Sequence, residues 1–188
     1  FRNLFINVNE SLVMNTAWSC YFKKYIFDNN PSLRFKETLA YCMDMDFIYS
    51  LLSITDNVFI SNECLYHYRL DSSSSKERYV PGLEDTLDYF IALFKSNEEP
   101  TDKYIAYKID SCRWLAKNIV RSSNINKFKI CQLQRIKKKY GITFCSVVKH
   151  RTLLKNCSFI LELLLSISAR LYLIFQNMYM GLKRIIRN

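Results

Sequence analysis

Trp18, Glu37, Asp44, Asp46, Tyr66, Tyr68 and Arg69 are the residues of this chain whose types and order could do chemistry. A tryptophan face can stack on the C–H side of a sugar ring, and a carboxylate can take a proton from a hydroxyl. An arginine can neutralise a departing diphosphate. Together these are the parts of a glycosyl-transfer site. Asp44-Met45-Asp46 also spells a carboxylate pair of the kind that holds a divalent metal. The same two acids would equally suit the first turn of a helix, where the macrodipole favours negative charge. Other chemistries find less support. His67 and His150 are the only histidines, and neither sits near a nucleophile elbow. Three glycines leave no Gly-rich phosphate loop. Seven cysteines, at 20, 42, 64, 112, 131, 145 and 157, contain no C-x-x-C, so the spacing predicts neither a zinc site nor a disulfide framework. A reduced compartment fits that usage.

The elements that must position these residues can be read from periodicity. "NTAWSCYFKKYIFDN" spaces Trp18, Tyr21, Phe22, Tyr25 and Ile26 as a turn entering a short helix that Pro31 ends. "MDFIYSLLSIT" places Phe47, Leu51 and Leu52 on one helical face, with Asp44 and Asp46 in the first turn. Two β-like runs follow, "NVFIS" and "CLYHYRL". His67, between Tyr66 and Tyr68, reads as strand packing rather than as an acid or ligand. The polar loop "DSSSSKERYVPG", residues 71–82, then marks a boundary. Beyond it everything reads as helix. The stripes are Leu83, Leu87, Phe90, Ile91 and Phe94, then Ile105, Ile109, Cys112, Ala116 and Ile119. A third, Ile130, Leu133, Ile136 and Tyr140, is stopped by Gly141. Residues 157–187 form the longest segment, with Ser158, Glu162, Ser166 and Arg170 repeating every four residues on an oily helix. Its longest uncharged run, Leu171 to Leu182, falls short of the roughly 18–20 residues of a membrane span. A helix buried in a bundle and a helix lying in a membrane interface, with Lys183, Arg184 and Arg187 among headgroups, both fit.

Charge separates the halves. Residues 1–102 hold 9 Lys/Arg against 15 Asp/Glu, whereas 103–188 hold 18 against 2, within a net charge of +10. The second half should therefore face something polyanionic. The run "RIKKKYG" reads as a solvated helix face.

The ordered series Trp18, Tyr21 to Lys24, Phe35 with Glu37, Asp44 with Phe47, and Tyr66, Tyr68, Arg69 and Ser72 to Ser75 resembles the C-terminal part of the catalytic domain of family 2 glycosyltransferases with the GT-A fold. Members there read Trp, a Lys-Leu-Tyr-Lys-Arg-like helix, Phe-x-Glu, Gly-Glu-Asp-x-x-Phe, and Tyr-x-Tyr-Arg followed by serines. The likeness spans residues 15–76. It implies that Asp44 is the catalytic base of an inverting hexosyl transfer to a glycan or lipid-linked hydroxyl. Trp18 and Glu37 would bind the acceptor, and Arg69 and Ser72 would lie near the diphosphate. The family's metal-binding Asp-x-Asp lies upstream, so the resemblance implies no metal site in this chain. A divalent metal (Mn or Mg) and the nucleotide-sugar would belong to the full-length enzyme. Three positions depart from the pattern: Cys20 for Lys, Cys42 for Gly and Met43 for Glu.

The expected fold is thus mainly α with a small β component: the C-terminal portion of an α/β, Rossmann-like GT-A enzyme over 1–76, followed by a basic helical extension over 77–188. The chain opens on Phe1 inside what reads as continuing structure, so the nucleotide-binding half is expected upstream and the 188 residues alone are expected to be inactive. The basic half implies residence at the cytoplasmic leaflet, peripheral to an anionic membrane, in polysaccharide biosynthesis. The rival reading is a non-enzymatic basic helical module that binds membrane or nucleic acid, with Tyr104, Tyr107, Trp114 and Tyr140 interleaved among its cations. Nucleic acid is not the expected partner.

Overall fold

A computed structural model describes residues 17–55, 57–59, 79–95, 101–154 and 156–187. These are mainly helical, and none of them lies in a strand. Asn57–Phe59, from the first β-like run, are described and are not strand; the second run and the loop over 71–78 lie outside the described residues.

A 3-10 turn at Ala17–Ser19 leads to α1 (Lys24–Asn29), shorter than the expected helix because residues 20–23 are not helical. Asn30 closes α1 with its side-chain amide donating to the Ile26 carbonyl at 2.9 Å, one residue before Pro31. The chain then folds back through buried Leu33 and Leu39 to α2 (Met43–Leu52). The helices of the second half are α3 (Leu83–Phe94), α4 (Asp102–Arg121), α5 (Asn126–Tyr140), α6 (Phe144–Lys149), α7 (Asn156–Ile167) and α8 (Ala169–Arg187). Three of them begin or end on a local signal: Thr101 accepts the Tyr104 N–H at the start of α4, Thr143 and Ser146 form a capping box on α6, and Gly141 (φ 66°) ends α5.

Residues 157–187 are not one helix. The break falls at Ser168, where Lys137 of α5 donates to the carbonyls of Ser166 and Ile167 and so satisfies the end of α7. Ser168 Oγ lies 3.5 Å from the Leu171 N–H in the first turn of α8. Of the four-residue polar repeat, Glu162 and Ser166 are buried and Arg170 is exposed.

Two apolar clusters share α3. Leu83 and Leu87 pack with Ile109, Cys112, Leu133, Ile136, Leu165 and Tyr172 in the bundle. Phe90 and Phe94, further along the same face, pack with Phe47, Ile48, Leu51 and Leu52 of α2. Gly82 opens α3 at φ 72°, and a Cβ there would stand 3.3 Å from that of Ala40. Tyr104 and Tyr140 are buried, and Tyr107 meets Phe94 edge-on at 5.4 Å. These rings are taken up by packing rather than offered for base stacking.

The basic run of α5 is not simply solvated. Arg135 forks onto Glu84, with Nη1 2.7 Å from Oε1, and Lys139 reaches Glu84 at 2.8 Å and Asp88 at 2.5 Å. The Arg135 hydrogen bonds, opposed by burial and aided by Lys139, hold the Glu84 carboxyl down to about 2. An acid depressed in the fold stabilises it above its unfolded value and loses that contribution as pH falls through the folded value. With Arg135 about half exposed, screening leaves about 1–2 kcal/mol. Glu84→Gln should therefore be less stable than the parent by that amount at neutral pH in urea unfolding. The two should converge as pH is lowered from about 4.5 towards 2.

Candidate functional site

The acidic stretch splits its two aspartates between two environments. Residues two apart on a helix project about 200° from one another. Asp46 turns inward and is buried, accepting the Tyr89 hydroxyl of α3 at 2.5 Å, while Lys36 donates to that hydroxyl at 2.8 Å. Lys36 Nζ also lies 3.7 Å from Asp46. Asp46 is therefore an anchor between α2 and α3. Asp44 instead lines an open cleft of about 590 Å³ with Ala17, Trp18, Arg34 and a group of phenylalanines. The Asp44-Met45-Asp46 spelling does not converge on one ligand, and no cluster of three or more His, Cys, Asp or Glu that could hold a metal exists among the described residues.

The cleft is built from aromatic packing. Phe47, on the same helix as Asp44, stacks on Phe35 at 4.5 Å and meets Phe22 edge-on at 5.5 Å. Phe27 lies parallel to it at 6.3 Å. Phe47 is buried, but Phe35 and Trp18 are each nearly half exposed, so two aromatic surfaces remain open to a ligand. This suits an apolar ring face met by a few polar groups, the usual composition of a small-molecule pocket. Burial pushes the Asp44 carboxyl above the usual aspartate range, and a hydrogen bond from the Ala17 backbone only partly restrains it. A carboxylate so placed is a better proton acceptor than a free one.

The turn into α2 requires an unusual backbone. Cys42, its N-cap, sits at φ 59°, ψ 25°, the only non-glycine with positive φ among the described residues. A residue with a Cβ costs roughly 1–2 kcal/mol there. Its carbonyl accepts the N–H groups of Met45 (3.0 Å) and Asp46 (3.2 Å), fixing the first turn that carries Asp44. Burial, then the neighbouring Asp44, raises the Cys42 thiol to about 12, so it is a neutral packing group and not a nucleophile.

Of the residues singled out in the sequence, the fold brings Trp18 and Asp44 together. Glu37 is exposed and does not line the cleft; the adjacent Lys36 turns to Asp46 and Tyr89. Arg69, Ser72 and the Tyr66–Tyr68 run lie outside the described residues. Sequence reasoning passed over Arg34, which lines the cleft while donating to the Leu33 carbonyl at 2.8 Å. Its place immediately before Phe35 was the only signal. The chain matches no protein-family model, no curated protein and no solved structure.

Proposed function

We propose that this chain is the acceptor-side part of an inverting, family 2-like glycosyltransferase of the GT-A fold. The observation that carries the reading is the shared cleft of Trp18 and Asp44, residues distant in sequence and both in the ordered series that resembles the family. A second observation supports it: the resemblance reads glycine where Cys42 stands, and Cys42 holds a glycine-like backbone. In this reading an acceptor sugar stacks on Trp18 and Phe35. Asp44 removes the proton of its attacking hydroxyl as the oxygen bonds to the anomeric carbon of the donor. The carbon–oxygen bond to the diphosphate breaks on the opposite side, and the leaving group carries off the electron pair. Met43, in place of the family's glutamate, is exposed and adds no charge beside the base.

By the same resemblance the donor nucleotide and its metal would be held by the family's nucleotide-binding half, which the likeness over residues 15–76 does not cover. The 188-residue chain is expected to transfer no sugar by itself. Protein that includes the preceding reading frame should release nucleoside diphosphate from one of a panel of nucleotide-sugars when a glycan or lipid-linked acceptor is added. Trp18→Ala should then raise the acceptor KM about tenfold and leave kcat within a few-fold, as loss of ground-state stacking requires. Transfer by the isolated chain, or a Trp18→Ala enzyme with an unchanged acceptor KM, contradicts the assignment.

A further inference from the structure

Among the described residues, the bundle leaves a large apolar surface exposed. On α8, Leu171, Ile174, Phe175, Met178 and Tyr179 are between 44% and 62% exposed, although Tyr172, Leu173 and Gln176 of the same helix are buried. The exposed set recurs at three- and four-residue spacing, and Leu182, Ile185 and Ile186 continue that spacing in sequence to the end of the helix. Ile160 of α7 and Ile167 at its end are exposed as well. Contiguous apolar surface of this kind marks a binding face.

Charge decides which partner fits. The sequence of α8 contains Arg170, Lys183, Arg184 and Arg187 and no acid, and the only carboxylate of α7, Glu162, is buried against Arg113 of α4. A second copy docking through this surface would bring like charges together. A nucleic acid would satisfy the cations but leave the apolar stripe against phosphate. An anionic bilayer satisfies both, taking the side chains below its headgroups and the cations among them. No helix among the described residues is long and apolar enough to cross a membrane, so the fit is to the interface.

We infer that the outward face of α8 is a docking surface for an anionic lipid bilayer, with α8 lying in the plane of the interface. This inference stands on α7 and α8 and is independent of the transferase reading.

The test is co-sedimentation of the 188-residue chain with two kinds of vesicle, pure phosphatidylcholine and phosphatidylcholine mixed with phosphatidylglycerol. Binding to the mixed vesicles should be about tenfold or more tighter, and should weaken as salt is raised. Ile174→Glu with Met178→Glu, at two exposed positions, should keep the far-ultraviolet spectrum and lose about tenfold or more of the binding. The inference is overturned by any of three results. These are absence of pelleting, equal pelleting with both compositions, and a double variant that pellets like the parent. A salt-resistant dimer that the double variant abolishes, with no vesicle binding, would give the face to a second copy and overturn it too.

Discussion

Arg113→Leu is expected to lower stability by about 3–5 kcal/mol, a large part of the whole folding free energy of a domain this size. Arg113 sits on α4, with Nε 2.9 Å from Asp110 Oδ1 and 3.3 Å from Glu162 Oε1 on α7. Burial alone would lower its pKa, but the carboxylates of Asp110 and Glu162 outweigh this and leave it raised. Glu162 is 1% exposed, so removing the guanidinium takes a cation away from a carboxylate that the bundle keeps from water. The pair itself should contribute far less than the single variant costs. Arg113→Leu with Glu162→Leu is expected to recover the part of the loss that comes from Glu162, while Asp110, mostly buried, still loses the guanidinium. Urea unfolding followed by circular dichroism reads both variants. A single variant within about 1 kcal/mol of the parent, or a double variant that sums two large losses, would show that the pair does not hold α4 to α7.

What could be read from the sequence was whatever depends on spacing alone. The stripes of α3, α4 and α5 were legible because each buries one face, and the stop at Gly141 because a left-handed residue ends a helix cheaply only at glycine. The break at Ser168 was not, since it depends on Lys137, some thirty positions away, reaching the end of α7. The solvated face read from "RIKKKYG" was legible in part: Arg135, Lys138 and Lys139 are exposed, but the pairing of Arg135 and Lys139 with Glu84 and Asp88 arises only across the fold. At the site, Asp44 and Trp18 were legible by residue type and order. Asp46 read only as an acid of the first helical turn; its burial against Tyr89 was not legible, because Tyr89 lies 43 positions away. The alternative for 157–187 was posed too sharply, because α8 presents one apolar face to the core and another outward.

The second large effect concerns Asp44. If it is the base, Asp44→Asn should lower transfer by about 10²–10⁴-fold and leave donor affinity unchanged. The loss should not come from unfolding. An acid whose pKa is raised in the fold is less willing to ionise there than in the unfolded chain. Its stability contribution is therefore full below the unfolded value and diminishes as pH rises through the folded one. At neutral pH the uncharged amide should leave the protein as stable as the parent or slightly more so. For the parent, kcat/KM should fall as pH drops through the raised Asp44 value.

The most direct measurement is single-turnover sugar transfer by the protein carrying its upstream sequence, parent against Asp44→Asn, with donor binding and urea stability measured on the same preparations. Loss of transfer by at least about two orders of magnitude, with binding and stability kept, is the predicted result. Turnover within a few-fold of the parent would contradict the role of Asp44 and with it the reading of the cleft.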